Sequence, residues 1–164
     1  MRRFIAAAGL AIFIAGPVFA AERTIDQLLS NEAVGRTLQL ALQKLPETKC
    51  GGAPCAAPTA EEKAKPPLSI AHARLALKTG VLSGSAELCG IDWQRRVFLP
   101  FMDSHRKKHD LTDRQMALIT VLHAIMQSFV KGDMKSRNET CTASFRAKIE
   151  AQITAASEPR SAAQ

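Results

Sequence analysis

Two histidines, His105 and His109, lie four residues apart in the run His-Arg-Lys-Lys-His. On an α-helix this spacing places both imidazoles on one face, where they can bind Zn²⁺. The three cations between them, Arg106, Lys107 and Lys108, repel a divalent ion, and the chain contains no Glu-x-x-His sequence. We therefore predict no metal site, with His105 and His109 as the residues that come nearest to one, and no cofactor.

The other two histidines are His72 and His123. His123 lies in an apolar segment with Met126 close behind it, and both side-chain types can ligate haem iron. Helical haem proteins usually take such ligands from separate helices, so we expect His123 to be a hydrogen-bonded core residue. His72 has no partner that spacing identifies. A small helical metal- or haem-binding protein is the alternative to the function predicted below.

Spacings typical of catalytic sites are absent from the sequence. It contains no Gly-x-Ser-x-Gly elbow and no glycine-rich phosphate loop. Cys50 and Cys55 are separated by four residues rather than by the two of a thioredoxin-like motif. We therefore predict a protein that is not an enzyme.

The chain has four cysteines, Cys50, Cys55, Cys89 and Cys141. An even number of cysteines in an exported chain predicts disulfides, here two. The glycines and the proline between Cys50 and Cys55 favour closure of that short loop, which leaves Cys89 to pair with Cys141. Crossed pairings remain open, because connectivity does not follow from sequence.

The first twenty residues have the organisation of a secretory signal. Arg2 and Arg3 precede an apolar stretch at residues 4–15, and small residues follow up to Ala20. We predict a signal peptide over residues 1–20, cleaved after Ala20, and a periplasmic or secreted product. The apolar stretch is shorter than the roughly 20 residues that a membrane span needs, so we expect no transmembrane span after cleavage.

The chain is basic, with 22 Lys and Arg against 15 Asp and Glu. A positive balance attracts anionic surfaces, and outside the cytosol these are envelope surfaces or acidic proteins rather than nucleic acid. We predict an anionic envelope surface or an unknown protein as the partner. The predicted interaction surface comprises Trp93, Arg95, Arg96, Arg106, Lys107 and Lys108. Trp93, close to Cys89, is also typical of core packing.

The elements that must position these residues are helical. Apolar residues recur at spacings of three and four, and the chain has no tyrosine and few other aromatic residues. We predict an all-α, disulfide-stapled bundle of about five or six helices with one long Pro/Gly-rich loop at residues 46–67. Residues 21–157 form one helical domain in this prediction, and residues 158–164 form a flexible tail.

Local patterns give further expectations. Small residues in the helical segment at residues 68–91 allow another backbone to approach it closely. Gly80 suggests a break of this segment into two helices. Residues 116–130 carry no formal charge and predict a central buried helix that ends at Gly132. The run from His105 to His109 is interpreted as the solvated end of another helix.

The segment Leu-Thr-Asp-Arg-Gln at residues 111–115 predicts a helix start, with Thr112 as the cap and Gln115 returning a bond to it. It resembles the Leu-Thr-x-x-Gln motif of small helical periplasmic chaperones and stress-sensor regulators. Those families usually carry the motif twice, whereas this chain has it once. Because no catalytic groups converge in the sequence, we predict a secreted, non-enzymatic helical binding protein, chaperone-like or envelope-associated, and the resemblance favours the chaperone-like role.

Overall fold

A computed structural model describes residues 29–157, which form an all-α bundle as predicted. Its helices are α1 (Asn31–Lys44), α2 (Ala60–Ala64), α3 (Ile70–Leu88), α4 (Leu99–Lys108), α5 (Asp113–Ser136) and α6 (Ala143–Ser157). Within this range no helix is both long enough and apolar enough to cross a membrane. The predicted signal peptide at residues 1–20, its cleavage after Ala20 and the predicted tail at residues 158–164 lie outside the described residues.

The long loop between α1 and α3 contains four short elements. They are a 3₁₀ turn (Leu45–Glu47), strands β1 (Lys49–Cys50) and β2 (Ala53–Pro54), and α2. The two strands pair in antiparallel fashion, and Gly51 and Gly52 form the turn with φ of 60° and 94°, a region that favours glycine. The disulfide Cys50–Cys55 closes this hairpin, as predicted.

Arg114 on α5 holds the rest of this loop against the bundle. Its guanidinium donates to both carboxylate oxygens of Glu62 on α2, at 2.5 and 2.7 Å, and to the Ala56 carbonyl at 3.0 Å. The pKa of Glu62 is lowered, chiefly by this hydrogen bond. The loop is therefore fixed by a disulfide, an ion pair and a backbone contact.

The centre of the bundle is the contact between α3 and α5. A Cβ at Gly80 would lie 2.6 Å from the His123 carbonyl oxygen and 2.9 Å from the Met126 Cβ. Gly80 therefore permits close approach of the two helices. The break that the sequence suggested at Gly80 is wrong, because α3 runs without interruption from Ile70 to Leu88.

We expect Gly80→Ala to lower the free energy of unfolding by about 1–2 kcal/mol net, because overpacking against a backbone oxygen of α5 costs about 2–3 kcal/mol. This cost exceeds the gain of about 1 kcal/mol in helix propensity. Gly35→Ala on α1 is the matched control, since a Cβ there meets nothing within 4 Å. It should be neutral or stabilising. Urea unfolding of both variants tests this, and equal behaviour of the two would contradict the packing role of Gly80.

The helix predicted at residues 116–130 is α5, and its inner face is fully buried. Leu118, Ile119 and Leu122 have no exposed surface, whereas Phe129 on the outer face is 67% exposed. The predicted end at Gly132 is wrong, because α5 continues to Ser136. Asn138, with φ of 52°, follows the helix in the left-handed conformation that commonly ends helices.

A second apolar cluster surrounds the disulfide Cys89–Cys141, which confirms the predicted pairing. Ile149 and Ile153 of α6 pack into this cluster together with Val97. The disulfide thus fastens the segment before α6 to the end of α3.

A π-helical turn (Gln94–Phe98) leads directly into α4. Asp92 accepts a bond from the Arg95 amide at 3.1 Å, and Pro100 lies in the first turn of α4, where its missing N–H is tolerated. The fully buried residues of α4 are Met102 and His105. The interpretation of residues 105–109 as a solvated helix end is therefore wrong at His105, which is 4% exposed.

Candidate metal centre

His72 lies in the first turn of α3, which Ser69 caps. The Ser69 hydroxyl accepts from the His72 amide at 3.2 Å and lies 3.0 Å from His72 Nδ1. When Nδ1–H donates to that hydroxyl, Nε2 keeps its lone pair, and it is 3.9 Å from Asp110 Oδ2. The cap thus orients the imidazole as a metal-binding histidine is usually oriented, by a hydrogen bond to its other nitrogen.

His105 lies in the last turn of α4 and faces the bundle. Its Nδ1 is 3.4 Å from Asp110 Oδ1. The ring meets Phe101 edge-on, with centroids 5.1 Å apart, and lies 5.6 Å from the ring of His72. Its Nε2 is buried without a hydrogen-bond partner among the described residues.

The turn between α4 and α5 brings Asp110 to both histidines. His109, with φ of 50°, ends α4 in the left-handed conformation, and its amide donates to the Arg106 carbonyl. On the other side of Asp110 the predicted capping box is confirmed. Thr112 N donates to Gln115 Oε1 at 2.8 Å, and Gln115 N donates to the Thr112 hydroxyl at 3.3 Å.

His72, His105 and Asp110 together have the composition of a metal site. One potential ligand atom from each of the three lies within 4.8 Å of the other two. A tetrahedral Zn²⁺ ion with bonds of 2.0–2.1 Å needs ligand atoms roughly 3.3 Å apart, so the three side chains must draw together to meet one ion. His72 and Asp110 keep about a third of their side-chain surface exposed, at 34% each, which gives the ion access.

The cations that seemed to exclude a metal here are directed elsewhere. Arg106 donates to Asp103 on its own helix at 2.7 Å, and Lys107 and Lys108 are exposed. Since exposed charges are screened by salt and water, their repulsion of an ion beside buried His105 is weak.

The structure groups only one of the two sequence-predicted histidines with other potential ligands. His105 belongs to the cluster, while His109 is not a member of it. His72 and Asp110 were missed by sequence reasoning, because His72 is 33 positions from His105 and no local spacing joins them. The Ser69 cap next to His72 is visible in the sequence but does not by itself indicate a ligand.

His123 is a buried, hydrogen-bonded residue, as predicted. Its Nε2 lies 2.8 Å from the Ser83 hydroxyl, and its ring stacks on Trp93 and contacts Phe98. Burial lowers its pKa to about 4, so the imidazole is neutral at pH 7. These contacts make His123 part of the core.

The predicted interaction surface is divided among different environments. Trp93 is half-buried beside His123, and Arg96 donates to both carboxylate oxygens of Glu150. Arg95 lies 3.7 Å from Asp92, as part of an ion pair. Lys107 and Lys108 are exposed at the end of α4. The binding of an anionic partner by this surface stays a prediction.

Comparison with known proteins gives no relative to argue from: no family model, no curated protein and no solved structure matches this chain. We therefore infer its function from the geometry of its side chains.

Proposed function

We propose that this chain is an exported, non-enzymatic helical protein that binds a divalent transition-metal ion through His72, His105 and Asp110. The observation that carries the proposal is one carboxylate facing two imidazole nitrogens, at 3.4 and 3.9 Å. These three side chains come from α3, from α4 and from the turn that follows α4.

His105 Nδ1 makes a long hydrogen bond of 3.4 Å to Asp110 Oδ1, and His72 Nε2 is 3.9 Å from Asp110 Oδ2. Hydrogen bonds between N–H and oxygen have lengths of about 2.7–3.2 Å, and both separations exceed this range. A tetrahedral zinc site has ligand atoms roughly 3.3 Å apart, so the His105 separation matches such a site and His72 must move closer to Asp110. An ion between His72, His105 and Asp110 would bond to all three groups at once.

The donor set indicates the class of ion. Imidazole nitrogens favour zinc and neighbouring transition metals, whereas Ca²⁺ and Mg²⁺ favour oxygen ligands. Three protein ligands leave one position of a tetrahedral ion for water. No fourth His, Cys, Asp or Glu joins the three within the part of the chain that the structure describes. We therefore propose a site that binds one ion through three protein ligands, with water in the remaining position.

Two features support export to the periplasm or the exterior. The first twenty residues have the sequence organisation of a cleaved signal. The two disulfides are compatible with an oxidising compartment.

Zinc binding by the mature, disulfide-bonded protein tests the proposal, measured by isothermal titration calorimetry. We expect one ion per chain and an affinity at least about 100-fold lower for His72→Ala, because loss of a direct ligand costs more than the roughly 10–100-fold that loss of an outer-shell partner costs. His109→Ala is the matched control, because it removes a nearby histidine outside the cluster, and it should leave the affinity unchanged. Equal binding by wild type and His72→Ala, or loss of binding in His109→Ala, would contradict the site.

A further inference from the structure

We infer that the metal ion regulates the order of α4, by clamping its carboxyl-terminal half to α3; this inference rests on the proposed function. The ligand from α3 is His72, and the ligand from α4 is His105. An ion bound to both joins two helices that are far apart in sequence. The consequence is a segment whose mobility depends on the metal.

The anchoring of α4 is limited. The helix has ten residues, and isolated helices of that length are not stable in water. Its order therefore depends on tertiary contacts, and Met102 and His105 are its fully buried residues. Leu99 at its start is 46% exposed. The carboxyl-terminal half of α4 is thus attached chiefly through His105.

The polar contacts of Ser104 and Arg106 do little to attach α4. The Ser104 hydroxyl donates to the Phe101 carbonyl, and Arg106 donates to Asp103, so both contacts stay within the helix. Lys107 and Lys108 extend into solvent. None of these contacts opposes movement of α4 away from α3.

The buried Nε2 of His105 favours such movement in the absence of metal. This atom has no hydrogen-bond partner in the described range, and a buried polar atom without a partner destabilises the closed arrangement relative to one in which water reaches it. A bound ion acts in the opposite direction, because opening would break its bond to His72 or to His105. The ion therefore favours the closed form.

Hydrogen exchange of the mature, disulfide-bonded protein, followed by mass spectrometry with and without Zn²⁺, tests the inference. If the ion binds only the closed form, zinc at 100 times its Kd lowers the open population by about 100-fold. We expect amides at residues 103–111 to exchange up to about 100-fold more slowly with zinc. Amides of α6 should be unaffected, because α6 contributes no ligand.

Trypsin gives a second readout, since Arg106, Lys107 and Lys108 are cleavage sites that need local opening. Zinc should slow their cleavage in wild type and in His109→Ala, and should have no effect in His72→Ala. Zinc binding in the calorimeter with unchanged exchange and cleavage of α4 would overturn this inference and leave the proposed function intact. Absence of zinc binding would overturn both.

Discussion

Removal of the Cys89–Cys141 disulfide by Cys89→Ala together with Cys141→Ala is expected to lower the free energy of unfolding by about 4 kcal/mol. The bond joins residues 52 positions apart, so it strongly restricts the unfolded chain. It also lies in the apolar cluster through which α6 packs on the bundle, with Ile149 and Ile153 at 3% exposure each. Urea unfolding followed by circular dichroism measures the loss.

The Cys50–Cys55 disulfide is the matched control for this prediction. Its partners are five positions apart, so the same chain-entropy reasoning gives a smaller loss, about 2 kcal/mol, for Cys50→Ala together with Cys55→Ala. The test is which of the two double variants loses more free energy of unfolding. A hairpin variant that is as unstable as the Cys89 and Cys141 variant would show that loop length does not govern the contribution of these bonds.

The stability of the protein is expected to fall by about 2–3 kcal/mol between pH 7 and pH 4.5 because of His123. Burial lowers the pKa of His123 from its ordinary value of 6.5 to about 4. Between these values the unfolded chain binds a proton on His123 and the native protein does not, so acid favours unfolding. The contribution is complete above pH 6.5 and is lost as the pH falls towards 4.

Urea unfolding at pH 7 and at pH 4.5 measures this dependence, and His123→Gln should remove most of it. Glutamine retains a polar group for Ser83, and the difference between the two pH values remains informative even if the variant is less stable at both. His109→Gln is the control and should keep the wild-type dependence, because His109 is exposed. An unchanged pH dependence in His123→Gln would assign the effect to other groups. Carboxyls with a lowered pKa, such as Glu62, contribute mainly at lower pH.

The features that the sequence predicted correctly depend on residues close together in the chain, on the number of cysteines or on the period of apolar residues. The cap at Thr112 and the return bond from Gln115 involve residues three positions apart. The closeness of Cys50 to Cys55 favoured the hairpin disulfide, and with that pair assigned Cys141 has one partner left. Helical periodicity was sufficient for the all-α class, because apolar faces of helices must be buried.

The predictions that failed depended on tertiary contact. Gly80 and Gly132 have the same weak helix propensity, yet both lie inside helices. At Gly80 the close packing against α5 outweighs about 1 kcal/mol of propensity, whereas Gly132 is exposed and the helix continues past it to the buried Met134. The three cations after His105 suggested a solvated helix end, but a helix can bury one residue while its neighbours face water. That burial, and the left-handed turn at His109, bring His105 to Asp110 and to His72.

X-ray absorption spectroscopy of the zinc-loaded, mature protein tests the central claim most directly. We predict a first shell of nitrogen and oxygen at about 2.0–2.2 Å from the zinc ion, with scattering from two imidazoles. One imidazole should be lost in His72→Ala but not in His109→Ala. A shell of oxygen atoms alone, or one that loses its imidazole scattering when His109 is replaced, would contradict the claim.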